Sequence, residues 1–572
     1  MKRKILACAM TTLLVVSTMY GCVNKENSSS TENNTEKQTE QDSGNEQVNN
    51  GKFDIEVTYS DKEKLSVTKS DLSKYSNVIK LSNKTVTITE SGEYVLSGKI
   101  EDGQIIVDVS DEDDKVVTLI LNGVDVTSKN SAPIYVKNAK KVVLSLVKDT
   151  VNTFTDSDSY TYEDEEKEEP NACIFSKDDL VIAGNGTLKV TGNFNNGIYS
   201  KDDLTITGGK ITVEAVNNGI KGKDSIAVLD TDITVKAGGD GMCTSNNEDE
   251  GKGFITIENG KFNIVSGEDG IHAETCMEIK NGNFEIKSGD DGIHGDETVT
   301  INNGDILISQ CYEGIEATNV KVNDGNIRIT ATDDGFNAAG GNDGSSMNGR
   351  SGMNKFGGGT GSLNFSGGYI YVNTKGDGLD ANGTIEVNGG LIIVDGPENA
   401  GNGALDFDGS FCMNAGYLLA VGYSGMAQMP TESKVNSVMI GLESTMNAGD
   451  VFSVQNSEGE SVITFSPAKS YNNIVLCTAM LELDKEYTIS IGGNVEGNII
   501  DGVCSGAYTG GTIYETFTIS ETILTVGNAT GGMGPSGIPG GVPGGMPGGQ
   551  MPDGDWGEFP EKPGGRPGNG RR

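Results

Sequence analysis

Short runs of alternating apolar and polar residues fill most of the chain, and the runs return at a fixed interval. Five apolar positions of one repeat recur 22 residues later, in the pairs Ile271 and Ile293, Met277 and Val299, Ile279 and Ile301, Phe284 and Ile306, and Ile286 and Ile308. Alternation of this kind is the period of a β-strand with one buried face. Three short strands per repeat leave no room for a helix, so the pattern predicts a solenoid of stacked strands.

Glycines anchor the repeat, and each of them follows an acidic or amide residue. The anchoring glycines are Gly197, Gly219, Gly241, Gly270, Gly292, Gly314, Gly335 and Gly378. The period is too short for a β-propeller blade, and the patterns of leucine-rich repeats and of left-handed hexapeptide β-helices are missing. We therefore predict an all-β protein: a right-handed parallel β-helix with rungs of about 22 residues and a smaller C-terminal β module.

Composition and periodicity divide the chain into five segments. Residues 1–22 have a basic tip, an apolar run and small residues, as in a lipoprotein-type signal peptide. Residues 23–52 hold almost no large apolar side chains and are predicted to be a disordered linker. The β-helix is assigned to 53–425, the C-terminal β module to 426–530, and a disordered Gly/Pro-rich tail to 531–572.

The Gly21-Cys22 step is similar to a bacterial lipoprotein cleavage box. On this interpretation Cys22 is lipidated, and the mature chain is extracellular and held at the cell surface by its lipid. The alternative is plain secretion, with Cys22 an ordinary thiol. Beyond the signal, no apolar run approaches the roughly 20 residues of a membrane span.

Charge and cysteine usage limit the partners. The formal net charge of −39 argues against nucleic acid or anionic membrane as a directly bound partner. Acidic chains that fold often hold divalent cations, because stacked carboxylates otherwise repel one another. The nine cysteines include no CxxC pair, which argues against zinc or thiol-redox chemistry.

In a β-helix, residues one period apart lie above one another, so the acid-Gly steps predict columns of carboxylates. The first column holds the acidic residues directly before the anchoring glycines, namely Asp240, Asp269, Asp291, Glu313, Asp334 and Asp377. A second column includes Glu268, Asp290 and Asp333. A third column, two positions after the glycines and outward-facing by alternation, contains His272, His294, Glu316, Asn337 and Asp380.

Stacked carboxylates favour calcium as the cofactor. At a rung spacing of about 4.8 Å they raise one another's pKa. A Ca²⁺ ion midway between two rungs reaches both, because Ca–O distances are about 2.3–2.6 Å. Mg²⁺ requires a strict octahedron, and Zn²⁺ would want more His or Cys. The predicted metal ligands are Asp240, Asp269, Asp290, Asp291, Glu313, Glu316, Asp333, Asp334, Asp377 and Asp380.

A purely structural interpretation stays open, because Asp-Gly and Asn-Gly steps make turns without any metal. Asn196 and Asn218 place amides where later rungs have acids. His272 and His294 either contact the ligand or form a stacked surface pair without function.

A calcium-dependent polysaccharide lyase is the main enzymatic possibility. β-Elimination needs a strong base beside a calcium-held carboxylate. Arg328 is the one credible base and a candidate ligand-binding residue, although an ion pair with a neighbouring acid explains it as well; Lys201 and Lys221 are weaker candidates. A glycoside hydrolase is a further alternative, since two of these carboxylates could serve as its catalytic pair. A surface scaffold or adhesin without sugar specificity is also consistent with a rod-shaped solenoid.

Several segments resemble a known family: "CIFSKDDL", "NGIYSKDDLTITGGKITV", "DDGIHGDETVTINNGDILIS" and "YEGIEATNVKVNDGNIRITATDDGFNAAGGNDG". They are similar to secreted clostridial and related bacterial carbohydrate-binding domain-containing proteins, over roughly residues 53 to 530. The resemblance implies a right-handed parallel β-helix like that of pectate lyases, bound calcium, and binding of cellulose and acidic pectic polymers. The family's acid-Gly steps match the first column, whereas Asn196 and Asn218 depart from it.

The charge of the chain fits such a partner only if calcium is present. A polyanionic protein repels polygalacturonate unless bridging Ca²⁺ reverses the local sign. Many weak sites along a rod suit a long polymer, because their contributions add. We therefore predict a non-catalytic cell-surface protein that binds polysaccharide, either an acidic pectic polymer or cellulose.

Overall fold

The computed structural model describes residues 57–162, 166–338 and 361–528. Cys22, the signal, the linker and the Gly/Pro-rich tail lie outside the described residues, and their assignments stay predictions. Nearly all of the insert at 341–361 also lies outside the described residues. Within the described part, no helix is long and apolar enough to cross a membrane. The described helical structure is one 3₁₀ turn, Asp71–Lys74.

The chain folds into stacked parallel strands, which confirms the all-β solenoid. Ile271 pairs with Ile293, and Ile293 with Ile315, so partners in adjacent rungs lie 22 residues apart. Each turn of the chain contributes strands to three faces. Apolar residues at alternate positions point inward and are buried, as Phe262 and Phe284 illustrate by stacking at 4.5 Å between ring centroids.

The first face carries the acid-Gly steps. Its strands are Val86–Ile88, Ile105–Asp108, Ile134–Asn138, Ala172–Ser176, Asn196–Ser200, Ile220–Gly222, Met242–Cys243, Ile271–Ala273, the beginnings of Ile293–Ile301 and Ile315–Val322, Phe336–Ala338, Leu379–Ala381 and Leu405–Phe407. The short strands are separated by turns at which the chain changes direction, and the candidate site lies at these turns.

The second and third faces complete each rung. The second face contains the beginnings of Gly92–Ile100 and Val117–Thr127, then Lys141–Leu146, Asp179–Gly184, Asp203–Ile206, Ser225–Val228, Phe254–Ile257, Cys276–Ile279, the ends of Ile293–Ile301 and Ile315–Val322, Ser362–Phe365, Thr384–Val387, Ser410–Met413 and Glu432–Ser433. The third face contains the ends of Gly92–Ile100 and Val117–Thr127, then Val151–Thr155, Thr187–Gly192, Lys210–Ala215, Asp232–Ala237, Lys261–Val265, Asn283–Lys287, Asp305–Cys311, Asn326–Ala331, Tyr369–Thr374, Leu391–Asp395 and Tyr417–Gly422. Asn77–Ser82 pairs along Tyr94–Lys99 and so contributes to both faces.

Antiparallel pairing begins at the C-terminal end of the third face. Tyr417–Gly422 pairs antiparallel with Tyr471–Thr478, which also pairs with Ser437–Met446. Ile523–Gly527 adds to Ser437–Met446 in parallel. The last parallel strand of this face is therefore covered, so its backbone groups do not form an open edge.

A separate six-stranded antiparallel sheet packs against this region. Its strands are Phe452–Asn456, Ser461–Phe465, Glu486–Ile491, Asn494–Ile500, Val503–Thr509 and Thr512–Thr518. Its buried residues share one apolar cluster with Tyr369, Ile393 and Leu419 of the third face. The C-terminal strands and the solenoid are thus joined by a common core.

Candidate functional site

The anchoring glycines are required because successive rungs approach closely at this turn. A Cβ on Gly292 would lie 2.6 Å from the carbonyl oxygen of Gly314 and 2.7 Å from Cδ1 of Ile308. A Cβ on Gly314 would lie 2.2 Å from the carbonyl oxygen of Gly335. Any side chain here would clash with the next rung, so the recurring glycine is a packing requirement.

The residue before each glycine links its rung to the next. The side-chain oxygen of Asp269 accepts the backbone N–H of Asp291 at 2.9 Å, and that of Asp291 accepts the N–H of Glu313 at 3.3 Å. Asn218 accepts the N–H of Asp240 in the same way, at 2.9 Å. One oxygen of each side chain therefore has a structural role that an amide also fills, and the second carboxylate oxygen remains for other partners.

At one end of this column the second oxygens meet histidine. Nδ1 of His272 lies 3.2 Å from Oδ2 of Asp269, and Nδ1 of His294 lies 3.0 Å from Oδ2 of Asp291. The two imidazole rings stack with centroids 4.6 Å apart. The stacking expected from the sequence is present, and both rings are set among carboxylates.

The carboxylates control the protonation of both rings. Burial opposes a charged imidazole, but the nearby carboxylates of Asp269 and Asp296 outweigh it and raise the pKa of His272 to about 9. Burial is likewise outweighed at His294, where Asp291 and Asp296 raise the pKa to about 12. The carboxylates in this part of the site therefore favour positive charge between them.

The other end of the column lacks such cations among the described residues, and its acids hold protons tightly. Burial, followed by the charges of Asp377 and Asp380, raises the pKa of Asp334 to about 10. Burial and the charge of Asp406 raise the pKa of Asp377 to about 7 against the opposing N–H of Gly403. Burial and neighbouring acids also raise the pKa of Asp380 well above its usual value, and none of its described interactions opposes them.

Asn337 lies within this acidic end. It stands in register between Glu316 and Asp380, and its Nδ2 donates to Oε2 of Glu313 at 2.7 Å. The side chain is buried, and its Oδ1 has no hydrogen-bond partner within the described residues. A buried amide oxygen without a donor, with Glu316 and Asp380 as its neighbours in the adjacent rungs, is a ligand that a hard cation would satisfy. We call Glu313, Asp334, Asn337, Asp377 and Asp380 the acidic end.

The side chains of the third column point away from the apolar interior, as alternation within the strand predicted. Facing outward does not leave all of them exposed, because Glu316 is 4% exposed and Asn337 is 2% exposed. The carboxylate of Glu316 lies against Nδ1 of His294, at 3.1 Å, and close to Asp291 and Glu313. Neighbouring rungs therefore cover positions that a single isolated strand would expose.

The remaining predicted residues lie at the margin of the column or elsewhere. Asp240 is hydrogen-bonded to the N–H of Asp269 at 3.2 Å and belongs to the histidine end. Asp333 interacts with the hydroxyl of Tyr312. Asp290 is half-buried, next to Asp291 in the turn. The second column thus borders the first.

Arg328 is engaged with the C-terminal strands. Its Nε donates to Oδ2 of Asp501 at 2.8 Å, and its guanidinium lies 4.9 Å from the ring centroid of Tyr369. Tyr369 donates its hydroxyl to the same carboxylate oxygen at 2.7 Å. Arg328 belongs to a third-face strand, and the structure pairs it with an acid there, which is the ordinary role for an isolated arginine.

Sequence reasoning missed three residues that belong to the site. Asp296 follows His294 by two positions, so the same alternation that directs His294 outward also places Asp296 beside it. Asn337 was placed in the third column but not among the metal ligands. Asp406 pairs in register with Asp380, after an irregular interval that hid the repeat. Asp406 was detectable by continuing the third column by one position, and Asp296 by alternation within the strand of His294.

The fold and the site define a class of protein: a parallel β-solenoid with an acidic and histidine-bearing column on one face. The model of a protein family described as "Carbohydrate-binding domain-containing protein" matches residues 82–335 and 290–459 of this chain. These matches cover most of the described solenoid and more than half of the chain. The chain belongs to the family of carbohydrate-binding domain-containing proteins.

Two relatives illustrate this similarity. A carbohydrate-binding domain-containing protein of Acetivibrio thermocellus is 47% identical over 137 residues, which are 24% of this chain and 47% of the relative. The chain therefore spans about half the length of that relative. A solved gadolinium derivative of the polysaccharide lyase-like protein from C. thermocellum is 38% identical, with a TM-score of 0.38, and covers 39% of this chain and 95% of its own.

Proposed function

We propose that this protein is a non-catalytic polysaccharide-binding protein of the cell surface that uses Ca²⁺ held at the acidic end to bind an acidic plant polymer. The observation that carries the proposal is the buried amide oxygen of Asn337, which lacks a hydrogen-bond donor among the described residues and lies beside carboxylates of raised pKa. Polygalacturonate and pectin are the preferred ligands, and cellulose is the neutral alternative.

The residues present fit calcium. Glu313, Asp334, Asp377 and Asp380 supply carboxylate oxygens, and Asn337 supplies an amide oxygen. Ca²⁺ prefers this all-oxygen donor set and accepts irregular geometry with roughly six to eight ligands. When bound, the ion supplies positive charge to a surface that otherwise repels a polyanion.

The chain's own residues determine how the polymer would be held. The acid column runs along successive rungs, so a long polymer lying parallel to the solenoid axis would meet repeated acidic turns. A sugar carboxylate can complete the calcium coordination, and neighbouring polar side chains can contact its hydroxyl groups. Several weak contacts along the rod then add up to useful affinity.

No described contact supports a lyase. Arg328, the main candidate for the base of a lyase, lies on the third face of the solenoid, away from the acid column. It is hydrogen-bonded there to Asp501 of the C-terminal strands. The cell-surface location rests on the signal-like residues 1–22 and on lipidation of Cys22, which lie outside the described residues. Both remain part of the proposal.

Affinity gel electrophoresis of the full chain in polygalacturonate tests this function. We expect strong retardation with Ca²⁺ and little with EDTA, and we expect Asp380→Asn to reduce the retardation even when Ca²⁺ is present. Asp114→Asn is the matched control, because Asp114 is exposed and remote from the column. A pull-down with cellulose distinguishes the two polymers.

Two results would contradict the proposal. Retardation that persists unchanged in EDTA would remove calcium from the binding mechanism. Unsaturated, ultraviolet-absorbing products in the same samples would establish a lyase in place of a binder.

A further inference from the structure

The histidine end is organised differently from the acidic end. His272 and His294 each direct Nδ1 toward the aspartate three residues earlier in the chain, Asp269 and Asp291, at 3.2 and 3.0 Å. A carboxylate on one ring nitrogen fixes the tautomer and the orientation of the ring, and it leaves Nε2 for another partner. Metal-binding histidines are commonly held in this way.

The Nε2 atoms converge on one carboxylate. Oδ1 of Asp296 lies 3.6 Å from Nε2 of His272 and 3.4 Å from Nε2 of His294. One ligand atom from each of the three residues lies within 4.8 Å of the others. A tetrahedral ion with bonds of 2.0–2.1 Å separates its ligands by about 3.3 Å, so the three ligand atoms would draw closer together and the rings would turn toward one ion.

A second observation points to a missing ligand. Nε2 of His272 is shielded from solvent and has no hydrogen-bond partner within the described part of the chain. Buried polar atoms are nearly always satisfied, by protein, water or an ion. A metal ion between the two rings and Asp296 would satisfy this nitrogen.

The competing arrangement is a pair of protonated rings held only by the surrounding acids. Two imidazolium charges with ring centroids 4.6 Å apart repel each other. A protonated Nε2 at 3.6 Å from Asp296 is also too far for a good hydrogen bond. Neutral rings that share one divalent ion place positive charge among the acids without that repulsion.

We propose that His272, His294 and Asp296 bind a divalent d-block ion, with Zn²⁺ as the preferred metal, at a site separate from the acidic end. Imidazole nitrogen favours zinc-like ions over calcium, which prefers oxygen. The cysteine spacing argued against zinc, but this donor set contains no cysteine. Three protein ligands leave a fourth coordination position for water or for an oxygen of a bound glycan.

Calorimetric titration of Zn²⁺ into the metal-free full chain tests the site. We expect one strong site that His272→Gln and Asp296→Asn each abolish. Asp269→Asn, which removes only the orienting carboxylate, should weaken Zn²⁺ binding about 10- to 100-fold. Asp380→Asn is the control: it lies in the acidic end, so it should leave Zn²⁺ binding unchanged while it weakens Ca²⁺ binding.

Spectroscopy on the unmutated chain keeps the test valid if a variant fails to fold. Because the chain has two histidines, ¹⁵N-histidine labelling gives two resolvable imidazoles. Zn²⁺ should shift Nε2 of both rings while each Nδ1 stays protonated, and Co²⁺ should give d–d absorption without a thiolate charge-transfer band. The proposal would be overturned by unshifted imidazole signals, by a thiolate band, or by undiminished Zn²⁺ binding in His272→Gln. Each of these results would count against the zinc site whether or not the acidic end binds calcium.

Discussion

Asn337 donates from Nδ2 to Oε2 of Glu313 at 2.7 Å, while its Oδ1 is buried without a hydrogen-bond partner among the described residues. The amide therefore holds one carboxylate of the acidic end in place and offers a further oxygen beside it. This pairing explains why an amide among acids need not weaken a calcium site.

Asn337→Leu should weaken Ca²⁺ binding by about tenfold or more, because it removes one oxygen ligand and the donor that positions Glu313. The loss of the hydrogen bond should also lower the free energy of unfolding by about 1–3 kcal/mol. Titration calorimetry and urea unfolding measure the two effects. Unchanged Ca²⁺ affinity in a folded variant would place the ion elsewhere.

Gly292→Ala should destabilise the solenoid by about 1–3 kcal/mol, because the new Cβ would meet the backbone of Gly314 and the side chain of Ile308. Gly401→Ala is the control, since its nearest neighbour is the amide oxygen of Asn399 at 3.3 Å on an exposed loop. Thermal unfolding of both variants checks the difference. Equal melting temperatures would show that the rungs separate easily at the acid-Gly turn.

Arg328→Gln should loosen the contact between the solenoid and the C-terminal strands without changing polysaccharide binding. The substitution leaves Asp501 without its ion pair, and it removes the guanidinium from the ring of Tyr369. We expect a loss of about 1–3 kcal/mol in the free energy of unfolding. A double-mutant cycle with Asp501→Asn should show coupling between the two residues. If Arg328→Gln lost polysaccharide binding while keeping full stability, Arg328 would have to be a ligand-binding residue.

Asp156 should make stability depend on pH. Burial is the main cause that raises its pKa to about 6, against hydrogen bonds from Tyr160 and Asn193. The folded state therefore binds a proton more tightly than the unfolded state, so this stabilisation is complete below about pH 4 and is lost as the pH rises through 6. The wild type should lose about 2–3 kcal/mol across this window relative to Asp156→Asn. Parallel curves for the two proteins would contradict the shift.

The period of the chain was enough to predict the stacking of the solenoid. Ile271, Ile293 and Ile315 occupy equivalent positions because each must fill the same place in the core, one rung above another. The columns of the site follow from the same arithmetic. A repeat that is fixed by packing is visible in the sequence because every rung needs side chains of similar size and polarity at the same positions.

Other features depend on neighbours that no local pattern specifies. Arg328 and Asp501 are 173 residues apart, and the segment that carries Asp501 has no period relating it to the rungs. The burial of Glu316 depends on the rungs around it and not on alternation within its own strand. The division of the column into a histidine end and an acidic end likewise depends on which side chain stands in each neighbouring rung.

The thermal unfolding of the full chain, measured in EDTA and in Ca²⁺ for the wild type and for Asp334→Asn, tests the calcium site most directly. We predict that Ca²⁺ raises the melting temperature of the wild type strongly, because it binds the folded state alone. Metal-free Asp334→Asn should melt above the metal-free wild type at neutral pH, because Asp334 must take up a proton when it is buried and an asparagine does not. The variant should also gain much less from Ca²⁺. Equal melting temperatures of the wild type in EDTA and in Ca²⁺ would contradict a calcium-holding acidic end and leave the acid-Gly steps as turns alone.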